Sequence, residues 1–256
     1  MARQRRHNRT RRNRGRFRAL HQLLACILAL AALFAGCIVF FRVQKVEIAG
    51  QKRYTAEEII AVSGIETGDY LALLDKNYIV RKIRSDLPYV DSVAIRRRLP
   101  DSVLIEVTES SVAAAVEVDG SWWLINSSGK LLEEVSSPGS YAVLYGITPL
   151  SPKAGDVAQL ADNSIIRWDY AMDFLRSLQE MGLSHELLSL DCSSAGEFTA
   201  RYGDRFSLLI PSTGNFEEYL NLFTRAVEED LDEAETGIFD FTLYDSTGYV
   251  YFRHEN

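Results

Sequence analysis

The chain has 256 residues with 28 basic and 35 acidic side chains, a net charge of −7. That average joins two opposite parts: nine arginines lie before residue 19, and all 35 acidic side chains follow Arg42, facing 18 basic ones. A body of −17 excludes a nucleic-acid reader or a polyanion binder, and its length suits one or two domains with modest cores.

The N-terminal tail, residues 1–18, carries Arg3, Arg5, Arg6, Arg9, Arg11, Arg12, Arg14, Arg16 and Arg18. Leu23 to Phe41 then reads LLACILALAALFAGCIVFF, without one charge. As a helix it reaches roughly 28 Å, near the hydrocarbon thickness of a bilayer. An excess of Lys and Arg marks the cytoplasmic flank of a transmembrane helix. The expectation is a membrane helix over 19–42 with its N-terminus inside and everything after Arg42 outside. Phe40, Phe41 and Arg42 stand where a signal peptide would carry small residues before its cleavage site, and read instead as an interfacial anchor. Topology and attraction to anionic lipid account for the arginines without nucleic acid.

From Val43 to Ser110 the pattern is compact. VQKVEIAG alternates as a short strand closed by Gly50. Thr55-Ala-Glu-Glu58 is a capping box that opens a helix through Ile59, Ile60 and Val62 to Gly64. Gly68-Asp69 turns the chain into YLALLD. Asp75 caps a second helix whose Ile79, Ile83 and Leu87 share one face, and Pro88 stops it. VDSVAIRRR and VLIEV follow as strands around the turn Leu99 to Ser102. The predicted order is β-α-α-β-β, with two helices over a three-stranded sheet.

From Val112 strands dominate. Trp122–Ile125 and Lys130–Val135 form a hairpin about Asn126 to Gly129, and YAVLYGI, LLSLDC, EFTARY, RFSLLI, GIFDFTL and GYVYFR are further strands. Trp122-Trp123 favours core packing. Asp162 is expected to cap a helix over Asn163–Met181, and Asn215 with Glu218 to open another. Tyr244 to Gly248 reads as a turn. Eight or more strands with two helices on one face give a curved, mostly antiparallel β domain, so the fold class is α+β.

Chemistry-bearing patterns are scarce. Cys26 and Cys37 lie in the apolar run and Cys192 is alone in the body, so no intramolecular disulfide is expected outside the membrane. His7, His21, His185 and His254 give no metal spacing, and no cofactor is expected. Adjacent acidic pairs such as Glu57-Glu58, Glu133-Glu134 and Glu217-Glu218 point different ways and read as solvated surface. Ser184-His185 follows a helix in a loop, and no G-x-S-x-G surrounds any serine. Neither a wall hydrolase nor any other enzyme is expected. What remains is a binding module, with Thr247 to Arg253 as a terminal, aromatic strand whose edge could accept an extended segment.

The ordered set of Gly50, Ser63-Gly64, Gly68-Asp69, Leu74-Asp75, Leu87-Pro88-Tyr89-Val90, Arg96 through Pro100, and Val103-x-Ile105-x-Val107-x-Glu109 behind a basic tail and one anchor resembles the FtsQ/DivIB bacterial cell-division proteins. Residues 43–110 resemble their polypeptide-transport-associated (POTRA) domain, and 111–256 would be their β domain. Two departures fall at turn or strand-end positions: Ser110-Ser111-Val112 where the family usually has a proline, and Asn126 where it usually has Asp. The resemblance implies a non-catalytic, single-pass divisome scaffold at the septum. It would link FtsB/DivIC-like and FtsL-like proteins and regulate septal peptidoglycan synthesis. It also implies that Gly248, Tyr249, Val250, Tyr251 and Phe252 bind a partner, with Phe239 and Phe241 on the strand before. Tyr54, Arg97 and Arg98 are exposed candidates for a second surface. The alternative is a POTRA-bearing secretion or assembly component that handles polypeptides.

Overall fold

The computed structural model describes residues 14–232 and 234–255. Arg3 to Arg12 of the basic tail lie outside the described residues, as do the side chains at 14–19, 33–35 and 37–39. Residues 14–40 form one 27-residue helix, α1 (Arg14–Phe40). No helix among the described residues is long and apolar enough to cross a membrane. The described large apolar side chains of α1, from Leu20 to Leu30, are 53–64% exposed, so nothing among the described residues covers them.

A three-stranded sheet follows, β1 (Lys45–Ala49), β2 (Val90–Arg98) and β3 (Ser102–Glu109), in the order β1-β3-β2. β1 runs parallel to β3 with Lys45 opposite Ser102, and β2 pairs antiparallel. Helices α2 (Ala56–Ser63) and α3 (Lys76–Asp86) pack on it through Ile59, Ile79 and Ile83 against Val103, Ile105 and Val107. Both helix starts follow from the sequence. Thr55 accepts from the Glu58 amide while Glu58 bonds the Thr55 amide, which holds the Glu58 carboxyl below its ordinary pKa. Asp75 accepts from the Tyr78 amide. YLALLD contributes only a single 3-10 turn at Leu71–Leu73.

The second sheet has nine strands. They are β4 (Ala114–Val118), β5 (Ser121–Ile125), β6 (Leu131–Val135), β7 (Val143–Tyr145), β8 (Leu187–Asp191), β9 (Glu197–Tyr202), β10 (Phe206–Pro211), β11 (Gly237–Asp240) and β12 (Tyr251–His254). Their order is β12-β11-β10-β9-β8-β7-β4-β5-β6. Five of the joins are antiparallel, and β4–β7, β7–β8 and β10–β11 are parallel. The β7–β8 and β10–β11 joins are parallel because each pair is connected through a helix, α4 (Ile165–Glu180) or α5 (Phe216–Glu229), which reverses the chain's path. Both helices cover the core: Trp168, Phe174, Leu178, Tyr219 and Phe223 meet Phe198, Leu208 and Phe239. Cys192 belongs to this core, and burial pushes its thiol up to about 12.

Three expectations are corrected. The α4 helix starts at Ile165 after Ser164, which makes no side-chain capping bond, so Asp162 is not its cap. Tyr244 to Gly248 is not an open turn but one helical turn, α6 (Tyr244–Thr247), ended by Gly248 at φ 72°. Tyr54 is half-buried, its hydroxyl accepting from the Tyr89 amide at 3.3 Å, so it is not a free surface group.

The two sheets meet through Tyr89 of the first and Ala115, Leu124 and Leu132 of the second, which form one apolar cluster. The buried Lys130 ammonium donates to the backbone oxygens of Arg84 (2.8 Å) and Val90 (2.9 Å) across this contact. Burial, helped by the nearby Arg84 charge, lowers its pKa to about 8.

Candidate partner-binding edge

β12 is the last strand of the nine-stranded sheet, with β11 on one side only. Phe239 lies opposite Phe252 and Asp240 opposite Tyr251. The Glu255 amide donates to the Thr236 oxygen at 3.1 Å, which sets the phase of the ladder. In an antiparallel pair, facing residues alternate between bonded and non-bonded. Tyr251 and Arg253 therefore turn their backbone groups toward β11, while Phe252 and His254 turn theirs outward. Those outward donors and acceptors are what an added strand would pair with.

Side chains follow the same alternation. Phe252 packs onto Phe239, ring centroids 4.8 Å apart, and reaches Phe206 at 6.5 Å. Tyr251 and Arg253 lie on the opposite, open face, where Arg253 sits 3.7 Å from the Asp240 carboxylate. Gly237 is required here by close approach: a Cβ would stand 2.4 Å from the Arg253 oxygen and 2.7 Å from the Phe252 ring.

The approach to β12 is fixed from α5. Tyr219 donates to Asp245 and Tyr244 to Glu218, each at 2.8 Å, so the start of α6 is tied to the first turn of α5. Burial, then the Asp245 carboxylate, raises the Tyr219 pKa; the bond to Glu218 raises that of Tyr244. Gly248 then turns the chain out of α6. Tyr249 bonds its amide to the Thr247 hydroxyl at 3.2 Å instead of entering the ladder, which delays the strand to Tyr251.

The expected binding residues thus separate. Tyr249 is 69% exposed and Tyr251 47%, and both are free to meet a partner. Val250 and Phe252 are half-buried props. Phe239 and Phe241 are buried at 3% and 0%, so they hold the edge from behind and present no contact surface. His254 was missed by sequence reasoning. Strand alternation counted from Phe252 could have found it.

Elsewhere the expected groups have local roles. His185 lies 3.0 Å from the Gly182 oxygen and 3.4 Å from Glu186. Arg97 donates to the Ala72 and Leu74 oxygens and Arg98 to Glu47. Among the described residues no group of three or more His, Cys, Asp or Glu is placed to hold a metal ion.

Residues 41–110 match the family model of the POTRA domain, FtsQ-type. Similar curated proteins carry the same family's names. The cell division protein FtsQ of Anaeromyxobacter sp. (strain K) is 28% identical over 61% of this chain and 58% of its own length. Both comparisons point to the FtsQ/DivIB proteins as what this chain is similar to. FtsQ of Streptomyces griseus is 30% identical over 43% of this chain and 53% of its own, and DivIB of Clostridium tetani 30% over 42% and 41%. The chain spans about half the length of the curated relatives it matches. The matched POTRA stretch is the first sheet unit, Gly50, Gly64 and Leu99-Pro100 among its residues.

Proposed function

We propose that the chain is a non-catalytic scaffold of the bacterial divisome that grips an extended segment of a partner along β12. The partners are FtsB/DivIC-like and FtsL-like single-pass division proteins, and by holding them the scaffold regulates septal peptidoglycan synthesis. The observation that carries the reading is the uncovered β12 edge, with outward backbone groups at Phe252 and His254 flanked by exposed Tyr249 and Tyr251. Unpaired edges are hazards that folds normally blunt, so one kept open beside exposed aromatics has a use.

The reading includes a single-pass anchor at 19–42 with the N-terminus in the cytoplasm, a POTRA domain at 43–110 and a β domain at 111–256, at the septum. The uncharged run Leu23–Phe41, the arginines before it and the uncovered apolar side chains of α1 support the anchor. Confinement to one membrane raises the effective concentration of the partners, so a weak edge contact suffices.

The test is capture of the FtsB/DivIC-like partner by the full chain in membranes, comparing wild type with a Tyr249→Asp, Tyr251→Asp double variant. Capture should fall several-fold while thermal stability holds, because both side chains are exposed. Unchanged capture removes the edge reading, and a uniform envelope signal from a fluorescent fusion, in place of a midcell band, removes the septal one.

A further inference from the structure

The chain leaves α1 and enters the first sheet without a linker. α1 ends at Phe40, and Phe41 already packs against the core of the first sheet unit. The Leu71 amide donates to the Phe41 oxygen at 3.2 Å, the Val43 amide to the Asp69 oxygen at 2.8 Å, and Arg42 bridges to Tyr70. Arg42 also bonds the Tyr70 hydroxyl at 2.8 Å, with its guanidinium 4.6 Å from the ring centroid. Residues 69–71 therefore run antiparallel to 41–43. Leu73, two residues past Leu71, is carried back to the level of the end of α1.

The β2–β3 turn comes to the same end. β1 begins at Lys45 and is parallel to β3, which begins at Ser102, so both start on the side of α1. β2 is antiparallel and finishes there at Arg98. The Gln44 amide donates to the Asp101 oxygen at 2.7 Å, and Arg97 holds the Ala72 and Leu74 oxygens, which ties the two turns together. Two large apolar side chains stand out at this end, Leu73 at 78% exposure and Leu99 at 69%. Neither contributes to the core beneath. Of the nearby acids Glu47 is paired with Lys45 and Arg98, whereas Asp69, Asp75 and Asp101 accept from neutral groups, the Glu66 amide, the Tyr78 amide and the Ser102 hydroxyl, and keep their charge. Arg42 and Arg97 are held by neutral oxygens and keep their charge for a further anion.

We infer that this end of the first sheet unit is seated on the bilayer, with Leu73 and Leu99 in the headgroup and upper acyl layer and the Arg42 and Arg97 guanidiniums facing lipid phosphates. The inference rests on the anchor reading above. The lipid surface is the occupant because the tether leaves no alternative distance: a residue spans at most about 3.6 Å, and Phe41 is packed before the chain has advanced one residue beyond α1. Apolar side chains flanked by Arg are suited to that boundary layer, where the apolar part is buried and the charge remains wet. Seating would fix the direction in which the second sheet unit projects from the membrane. It would therefore fix the height of the β12 edge at which a partner from the same membrane must arrive.

The test uses the full chain with Cys26→Ala and Cys37→Ala, reconstituted in vesicles of phosphatidylethanolamine and phosphatidylglycerol. Cys192 is buried with its thiol pushed up to about 12, so it stays unlabelled. Single nitroxide labels are placed through Leu73→Cys, Leu99→Cys and, as an aqueous control at the far end of β2, Ser92→Cys. The ratio of collision with oxygen to collision with a water-soluble nickel chelate should be several-fold higher at 73 and 99 than at 92. Adding Leu99→Glu should lower the ratio at 73. Resistance to carbonate extraction reports the anchor separately. Protein that stays in the vesicles with all three labels equally aqueous overturns the seating alone. Labels at 73 and 99 shielded from both probes overturn it in favour of a protein contact. Protein washed from the vesicles overturns the anchor and the seating with it.

Discussion

The nine-stranded sheet treats its two outer strands in opposite ways. At β6 the outer side is filled by the chain itself: the Leu131 amide donates to the Asp156 oxygen, the Gly155 amide to the Leu131 oxygen and the Ala158 amide to the Gly129 oxygen, at 2.8–3.0 Å. The same loop presses on the first sheet unit at Gly155, where a Cβ would stand 2.3 Å from the Ser85 oxygen. Lys130, Tyr89 and Arg53 close the contact. At β12 the outer side of Phe252 and His254 has no such strap among the described residues. One sheet thus shows both states of an edge. The difference locates structural joining at β6 and leaves β12 as the edge that the proposed partner contact would use.

The largest effect should come from behind the open edge. Phe239 is buried among Phe206, Phe223, Phe241 and Phe252. Phe239→Ala leaves a cavity there and should cost about 3–5 kcal/mol, read as a lowered urea midpoint. A loss of partner capture without a loss of stability would instead make Phe239 a contact residue.

Breaking the covered edge should cost somewhat less. Lys130→Met leaves the buried Val90 oxygen without its donor, at about 1–3 kcal/mol, while the Arg84 oxygen, on an exposed residue, can turn to water. It also removes a pH dependence. The amine titrates near 8 in the folded protein against an ordinary value of 10.5, so between those values the unfolded chain binds more protons. Stability from this group therefore rises as pH is raised through that window. Wild type minus Lys130→Met should show that rise between pH 8 and 10. A flat difference would mean that the amine is not desolvated at this contact.

Most of this contrast was legible from sequence only on the open side. The capping box at Thr55, the β-α-α-β-β order and the aromatic strand near residue 250 are local patterns, set by spacing over a few residues. The covered edge depends on Lys130 meeting carbonyls 46 and 40 residues earlier, and on a loop returning from residue 155. No local periodicity encodes such meetings. Lys130 looked like the start of a hairpin strand. The burial of Phe239 and Phe241 has a related cause: alternation puts both on one face, but only the packing of α5 decides that this face is the inner one.

A sharper cut at the open edge uses proline. His254→Pro removes an outward amide and leaves the β11 ladder intact, since an edge strand tolerates proline on its solvent side. Partner capture should fall about tenfold, near 1.4 kcal/mol, with little change in stability. Arg253→Pro removes an inward amide and should loosen β12 itself, visible as faster amide exchange at Ile238. If both variants behave alike, the assigned phase of the ladder is wrong.

The smallest effect belongs to the rim of the covered edge. Arg53 lies 3.9 Å over the Tyr89 ring and 3.3 Å from Glu133, whose carboxylate also accepts from the Tyr89 hydroxyl. That bond, after burial, raises the Tyr89 pKa. Arg53 and Glu133 are half exposed, so Arg53→Ala should cost only about 0.5–1 kcal/mol and lose most of that cost at high salt. Tyr89→Phe tests the other half of the group. It keeps the apolar contact with Leu124 and Leu132 and deletes only the hydroxyl, so it should cost less than Tyr89→Ala. Equal losses from Tyr89→Phe and Tyr89→Ala would mean that the carboxylate bond joins the sheets. A small loss for the first and a large one for the second means that apolar packing joins them, as Tyr89's 6% exposure requires.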